Sequence, residues 1–434
     1  MSDTAHPIAF VAGPSGQRTL VTYGVWIVAA LVLAALPHIF ASGLALTTMS
    51  LMGIMIVFAL SYNMLLGQTG LLSFGHAVYF GLGGFLTVHA MNAVEGNAIP
   101  LPLFVFPLVG GLAGLLFGII FGAVSTRRAG TAFAMITLGI GELVASSALI
   151  LRHAFGGEAG ITTDRTDLVH LLGVSFGPQI QVYYLIAAWA FVSAAAMYAL
   201  TRTPFGRICN AVRDNPERVL FVGYNTQTIR FIAFSFAGLF AGIAGGLAAI
   251  NFEIMSSGQL GLAQSGAVVV MTYIGGVGEF AGPIIGAILI TYLQVMLSDA
   301  TDAWELYFGL LFIGTVMFVP EGIAGLLAKQ RPLLVTGQLL RVLPYYALAL
   351  IPGLIALCGF CLLIEMGYQL TVHASDGPAM SFLHIPFSAD GIIPWAIAAV
   401  LFGGGLWLFR RAARVSAEVY GGALAIAQKQ RGAT

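Results

Sequence analysis

Residues 67–85 read Gly-Gln-Thr-Gly-Leu-Leu-Ser-Phe-Gly-His-Ala-Val-Tyr-Phe-Gly-Leu-Gly-Gly-Phe, and this stretch constrains the fold of the whole chain. Most of its residues are apolar, but polar side chains and glycines are interspersed among them. In hydrocarbon, a polar group without a partner costs on the order of several kcal/mol, so such a mixture must lie against protein or line a wet cavity. Glycines also permit close helix contacts and broken helices. Two interpretations remain open: a path through a membrane, or a glycine-rich helix contact with incidental polar residues.

The composition excludes an ordinary soluble protein. The chain has 434 residues, of which 59% are hydrophobic and only 8% are charged, and its mean hydropathy is +0.93. A soluble domain carries about 25% charged residues. We therefore predict a polytopic membrane protein. The three cysteines give no disulfide framework, and the basic residues are too dispersed for nucleic-acid binding.

Apolar runs predict an all-α transmembrane bundle of about ten to twelve spans, at about 20 residues per span. The third and eighth runs are short and glycine-rich, so either could be re-entrant. The twelve candidates lie near 22–41, 45–66, 74–93, 102–125, 131–151, 182–200, 229–250, 263–278, 281–298, 304–327, 345–366 and 391–409.

Charge placement on this map predicts the orientation, although the net charge is zero. One side receives the basic residues Arg18, Arg127, Arg128, Arg202, Arg207, Arg213, Arg218, Lys329, Arg331, Arg341 and the tail from Arg410 to Arg431. The other side receives Glu95, Glu158, Asp164, Asp167, Asp299, Asp302, Glu305, Asp376 and Asp390. The positive-inside rule puts the basic side, with both termini, in the cytoplasm. An apolar run too long for a cleaved signal peptide follows the polar residues 1–20 and is expected to be the first span.

The segment 201–228 is the long polar loop on the predicted cytoplasmic side. It contains a short helix signature, with Asn215 as N-cap, Pro216 in the first helical position, Glu217 in the first turn and Gly223 just past the end. The apolar run 219–222 lies inside this signature, and we expect it to be exposed. An exposed apolar turn flanked by arginines favours protein docking. The alternative is a helix lying on lipid headgroups.

Five sequence blocks, in this order, resemble a known family. They are GLLSFGHAVYFGLGGF (70–85), AGTAFAMITLGIGELV with GGEAGI (129–144 and 156–161), GRICNAVRDNPERVLFVGYN (206–225), FAGLFAGIAGGL (236–247) and GGVGEFAGPIIGA (275–287). Together they resemble the permease subunits of branched-chain amino acid ABC importers, specifically the longer of the two paired permease types. The resemblance spans about residues 45–327. Urea and short-chain amide importers share most of these blocks.

The resemblance implies that 206–225 is the coupling loop, which enters a cleft of a cytoplasmic ATPase subunit. The residues carried over from the family are Arg213, Asp214, Asn215, Glu217 and Gly223, and Phe221 of the apolar run is assigned to the same coupling loop. It also implies three partners besides the lipid membrane: a second permease subunit, ATP-binding subunits and a periplasmic solute-binding protein. The chain departs from the family in having Val219 and Leu220 where small alanines are common. It also continues past residue 340, adding two predicted spans and a basic tail.

No cofactor is expected on this chain. The chain has two lysines, Lys329 and Lys429, and neither lies in the glycine-rich context of a phosphate-binding loop. We therefore expect ATP to be used by partner subunits. No catalytic nucleophile motif or metal-ligand spacing is apparent, and the Cys358/Cys361 pair lies in an apolar span, where packing is the expected role.

The candidate pathway residues are Asn63, Gln68, Ser73, His76 and Glu142. Glu142 lies in the middle of a predicted span, where an ionisable group is a functional candidate by default. It faces the pathway or locks two helices together. For the other four, passage of a polar solute competes with a purely structural role in packing and hydrogen bonding.

The expected organisation comprises an N-terminal tail (1–20), a permease domain (21–327, with the coupling loop at 202–228), a cytoplasmic linker (328–344), an extension with two spans (345–409) and a basic tail (410–434). The hypothesis is an ATP-driven importer subunit of a bacterial inner membrane for branched-chain or related amino acids. Urea, amides or other small polar solutes are the alternative cargo. An ion-coupled secondary transporter is the alternative from another class, with Glu142 as its coupling candidate.

Overall fold

The computed structural model describes residues 15–97, 101–166, 175–372, 377–382 and 385–432. Most of the predicted N-terminal tail, Asp167 and Asp376 lie outside these residues. The helices are α1 (Ser15–Ile39), α2 (Gly43–Thr69), α3 (Ala77–Asn97), α4 (Phe106–Ser125), α5 (Thr131–Ile150), α6 (Arg152–Phe155), α7 (Gln179–Arg202), α8 (Pro204–Asp214), α9 (Pro216–Phe221), α10 (Thr226–Phe252), α11 (Leu262–Gly275), α12 (Gly282–Ala300), α13 (Trp304–Phe318), α14 (Gly322–Val335), α15 (Leu339–Thr371) and α16 (Ile392–Gly432). Short 3-10 turns occupy Leu103–Val105 and Ser257–Leu260, and the strands are β1 (Ile161–Thr162), β2 (Ile254–Met255), β3 (Ala379–Phe382) and β4 (Ile385–Ser388).

The predicted all-α membrane architecture is confirmed. In the described part of the chain, nine helices are long and apolar enough to cross a bilayer, and a tenth span results if the pair α13–α14, bent by 42°, is counted as one. Two further apolar helical segments are shorter, Tyr23–Ile39 within α1 and Leu262–Gly275, which is α11. Each of the twelve predicted runs therefore corresponds to helix. The eighth run contains a helix of 14 residues, shorter than a full span.

Helix α10 is the centre of the first of two compact units, which ends at Val295. It is the most buried of the candidate spans, at 78%, and it packs on α2, α3 and α4. Glycines bring its backbone against α4: a Cβ added at Gly110 would lie 2.5 Å from the Gly242 carbonyl oxygen, and one at Gly238 would lie 2.6 Å from that of Gly114. In lipid, helix association depends on such close van der Waals packing.

The second unit begins at Met296 and is built on α15 and α16. The two helices run antiparallel, since Val342 packs with Ala423 near one end and Met366 packs with Ala398 near the other. Tyr307 donates a hydrogen bond of 2.8 Å to Glu365 within this unit. The stretch 328–344, expected as a linker, is mostly helical because α14 and α15 occupy it.

Candidate functional site

The glycine-rich stretch of the sequence forms a break between α2 and α3. Helix α2 ends at Thr69, and Gly70 adopts the left-handed conformation (φ 71°) while its N–H bonds to the carbonyls of Leu65 and Leu66. A side chain at Gly70 would be strained by this φ. Residues 70–76 then run without regular helix until α3 begins at Ala77. The chain thus places a short non-helical segment among buried helices.

His76 lies at the end of this break and is fully buried. Its Nε2 lies 3.0 Å from the Ser61 hydroxyl, which donates its one proton to the Phe58 carbonyl at 2.6 Å. Ser61 must therefore accept the bond from Nε2–H, which in a neutral imidazole leaves Nδ1 as an acceptor. Nδ1 has no partner among the described residues. Aromatic rings of Phe58 and Tyr62 lie 5.6 and 5.3 Å from the imidazole, centre to centre.

A second break follows α10 and meets the first. Glu253 ends α10 in the left-handed conformation (φ 55°), and the chain passes through β2 and a 3-10 turn before α11 begins at Leu262. The two breaks join where the Ala77 N–H donates to the Ser265 hydroxyl at 3.1 Å. The first turns of α3 and α11 are therefore side by side, each immediately after a non-helical segment.

The five pathway candidates do not form one cluster. Asn63, Ser73 and His76 are buried within the unit, and the Asn63 Oδ1 and Ser73 Oγ also lack partners in the described residues. Gln68 lines a small pocket with Met64, Phe205 and Cys209. Glu142, by contrast, is exposed on the outer surface of α5. The structure thus separates Glu142 from the other four.

Arg165, which is not among the predicted site residues, stabilises the second break. Arg165 Nη1 donates to the carbonyls of Ile250 and Asn251, both at 3.2 Å, and its backbone N–H donates to Glu253 Oε1 at 3.1 Å. A guanidinium at the carbonyl end of α10 complements the helix dipole. Beside it, β1 pairs with β2, so the loop before Arg165 is joined to the break by both strand and side-chain bonds.

Asp164 stabilises the same loop from outside the membrane-spanning helices. Its Oδ1 accepts bonds from the Thr166 hydroxyl at 2.6 Å and the Thr166 N–H at 2.7 Å. These two bonds favour the ionised form and hold the pKa of Asp164 below its usual range.

Arg165→Ala is expected to lower the free energy of unfolding by roughly 2–3 kcal/mol, because several buried carbonyls lose a charged donor. The thermal unfolding midpoint of the purified protein in detergent measures this change. Arg152→Ala is the matched control, since Arg152 is exposed at the neighbouring helix α6 and its loss should have little effect. Equal midpoints for the two variants would contradict the assigned role of Arg165.

The predicted coupling loop contains two helices rather than one. Asn215 caps α9 by accepting from the Arg218 N–H at 3.0 Å, and Gly223 follows with φ 94°, as the cap signature indicates. Helix α8, which Thr203 caps and Pro204 begins, was not predicted. Its signal, a Thr-Pro pair followed by apolar residues on one face, was present.

One expectation about this loop is wrong. Val219 is buried against Cys209, Val212 and Ile229, because its position on α9 faces α8 and α10. The neighbouring side chains Leu220, Phe221 and Val222 are 56%, 91% and 74% exposed. The exposed apolar turn is thus one residue shorter than predicted.

The two loop helices pack firmly beneath this turn. Burial in the cluster with Val212 and Val219 raises the pKa of the Cys209 thiol to about 12, so this cysteine acts as an apolar packing residue.

Arg213 connects the loop to the first break. Its Nη1 donates to the Gly67 carbonyl in the last turn of α2, and its Nε pairs with Asp214 at 3.0 Å. Its side chain also lies against Gly70, where an added Cβ would be 3.0 Å from Arg213 Cγ. One side chain therefore contacts both the end of α2 and the residue that begins the break.

Residues 44–320 match the family described as the branched-chain amino acid transport system permease component. The chain belongs to this family. This permease is therefore a multi-pass membrane transport component rather than an enzyme. The match covers most of the chain and ends before α15, so the hairpin of α15 and α16 lies beyond it.

Several curated proteins are similar to this permease. The chain is 26% identical to the high-affinity branched-chain amino acid transport system permease protein LivM of Escherichia coli, over 74% of this chain and 78% of that protein. It is 22% identical to the probable LivM of Methanocaldococcus jannaschii, over 65% and 92%. It is 28% identical to the ribose import permease protein RbsC of Haemophilus influenzae, over 49% and 66%. No solved structure matches the chain.

Proposed function

We propose that this permease is one membrane subunit of an ATP-driven importer for branched-chain or related amino acids. It would act in a bacterial inner membrane with both termini in the cytoplasm, beside a second permease subunit, cytoplasmic ATPases and a periplasmic binding protein. The family and the LivM relatives support this cargo. The similarity to a ribose permease supports import more broadly. Urea, amides and other small polar solutes remain the alternative cargo.

The exposed turn Leu220–Val222 carries the proposal. It presents three large apolar side chains at the end of a two-helix loop that is held by the buried residues Cys209, Val212 and Val219. The buried residues hold the turn in a fixed position, while the side chains of the turn itself remain exposed. This arrangement is expected of a surface that docks on another protein. The proposed partner surface is a groove on an ATPase subunit, and the coupling residues assigned from the family lie in the same loop.

The solute path is proposed to pass the two breaks. Non-helical backbone in a membrane protein occurs where it is covered by protein or lines a cavity. Here Ser73 and His76 of the first break, together with Asn63 of α2, lie buried among apolar helices, and each has an acceptor atom without a partner among the described residues. These atoms would take hydrogen bonds from a polar solute when the helices separate, and the aromatic rings around His76 would contact an aliphatic side chain.

Phe221→Asp tests the docking role. A charge at the tip should abolish recovery of an ATPase with the tagged permease from membranes solubilised in mild detergent, because desolvating an unpaired carboxylate in an apolar groove is costly. The second permease should still be recovered. Gln227→Glu adds the same charge at another exposed position, in the first turn of α10, and should leave the ATPase bound.

Uptake measurements in vesicles distinguish an ATP-driven importer from an ion-coupled secondary transporter. Uptake should require ATP on the cytoplasmic side and survive collapse of ion gradients. If no ATPase is recovered with the unmodified chain and uptake follows an ion gradient, the protein is an ion-coupled transporter.

A further inference from the structure

The hairpin of α15 and α16 lies beyond the residues that match the permease family, so the family assigns it no role. Helix α16 is a candidate membrane span and continues for 41 residues. One face of it packs on α15: a Cβ added at Gly405 would lie 2.6 Å from the backbone nitrogen of Ala356, and Ala398 and Ser416, on the same face, are buried. The opposite face of α16 therefore points away from α15.

This outward face changes its chemistry within one turn. Val400 and Trp407 are 71% and 54% exposed, as expected of side chains that face lipid. Next on the same face are the exposed residues Arg411 and Arg414, with Arg410 beside them. These three arginines, here called the basic cluster, lie within about 6 Å along the helix axis. The apolar face thus ends directly at a concentration of positive charge.

Two sets of contacts hold the basic cluster at this depth. The Arg411 guanidinium lies over the Trp407 ring, 3.9 Å from its centroid, which is within the range of a cation–π interaction. Tryptophan favours the boundary between hydrocarbon and headgroups, because its ring is apolar and its N–H is polar. Further along α16, Ala423 and Ala427 pack against the neighbouring helices. The cluster is therefore presented by a supported helix where headgroups begin.

The charge of the basic cluster is not neutralised within the described part of the chain. None of the ion pairs there involves any of the three arginines. Residues 391–434 contain one acidic residue, Glu418, and it lies a full turn beyond Arg414 without reaching ion-pair distance. Guanidinium groups match phosphate oxygens in geometry as well as in charge. An anionic ligand with phosphate oxygens therefore complements the cluster.

We infer that the basic cluster binds the phosphate groups of anionic phospholipids, whose acyl chains lie along the outward face of α16 at Trp407 and Val400. A lipid is the occupant because the cluster directly continues an apolar face of the same helix, so headgroups already lie at its depth. This site goes beyond the proposed function, since it depends neither on the cargo nor on ATP.

Lipid binding by the full chain tests this site. The purified permease, delipidated in a neutral detergent, is titrated with micelles of dioleoyl phosphatidylglycerol or dioleoyl phosphatidylcholine, and bound lipid is counted by native mass spectrometry. Arg410→Gln, Arg411→Gln and Arg414→Gln together should lower the apparent affinity for phosphatidylglycerol roughly tenfold, because exposed cation–phosphate contacts are lost. The affinity for net-neutral phosphatidylcholine should change little. Unchanged affinity for phosphatidylglycerol would overturn the inference.

A second triple variant, Arg331→Gln, Arg341→Gln and Lys429→Gln, is the matched control. It removes the same charge from exposed residues of the same unit, but these residues are distributed over three helices. It should bind phosphatidylglycerol like the unmodified chain. An equal loss in both triple variants would overturn the inference, since net charge alone would then account for binding. Lysine at all three positions of the basic cluster keeps the charge and should retain most of the affinity, which a misfolded chain would not.

A soluble headgroup distinguishes a lipid from a free anion. Glycerophosphoglycerol carries the same phosphate without acyl chains, so it should not displace phosphatidylglycerol at equal concentration. Displacement would reveal a site for soluble anions and would overturn the assignment to lipid.

Discussion

Gly245→Val is expected to remove nearly all correctly folded permease from the membrane. A Cβ at Gly245 would collide with the backbone carbonyl of Phe80 in α3, which no side-chain rotation can relieve. Overpacking a core typically costs about 1–3 kcal/mol even where side chains can adjust, and a protein has only about 5–15 kcal/mol to lose. The amount of monodisperse protein extracted in mild detergent measures the effect.

Gly314→Val provides the control for this experiment. An added Cβ at Gly314 meets no atom within 4 Å, so the yield and the thermal midpoint should match those of the unmodified protein. Similar losses for both variants would mean that valine is harmful in these helices for reasons unrelated to close packing.

Arg213→Ala is expected to lower transport by roughly ten- to a hundredfold while the ATPase stays bound. The change removes a charged donor from the Gly67 carbonyl, an interaction worth about 1.5–3 kcal/mol, and each 1.4 kcal/mol shifts a conformational equilibrium about tenfold. The exposed turn at Phe221 is left intact. Initial uptake rates and ATP hydrolysis in reconstituted vesicles measure the two activities separately.

Arg207→Ala is the matched control for Arg213, since it removes an exposed arginine from the same helix α8. It should retain transport. Loss of ATPase binding in Arg213→Ala would contradict a connecting role and would place Arg213 in the docking surface itself.

Much of the architecture was predictable because helices in a membrane must satisfy their backbone internally and be apolar over about 20 residues. The Asn215–Pro216 start of α9 was predictable for a similarly local reason: one side chain caps one turn. The break at Gly70 was visible as a glycine among polar residues. These features depend on residues within a few positions of each other.

The contacts that connect distant segments were not predictable. Arg165 joins a loop to the end of α10, and Ser265 joins α11 to α3, across separations that no local pattern encodes. The orientation of Val219 depended on α8, and the exposure of Glu142 depended on which face of α5 the first break occupies. Each required the tertiary packing of helices to be known first.

The length of α16 has a mechanical consequence. Its apolar part ends before Arg410, whereas the helix continues to Gly432, so about 35 Å of helix extends beyond the apolar part at 1.5 Å per residue. Leu333 of α14 and Val342 of α15 pack against Ala423 and Ala427 in this part of the helix. These contacts support it from the side. The last turns of this helix are thus held at a fixed distance from its apolar part.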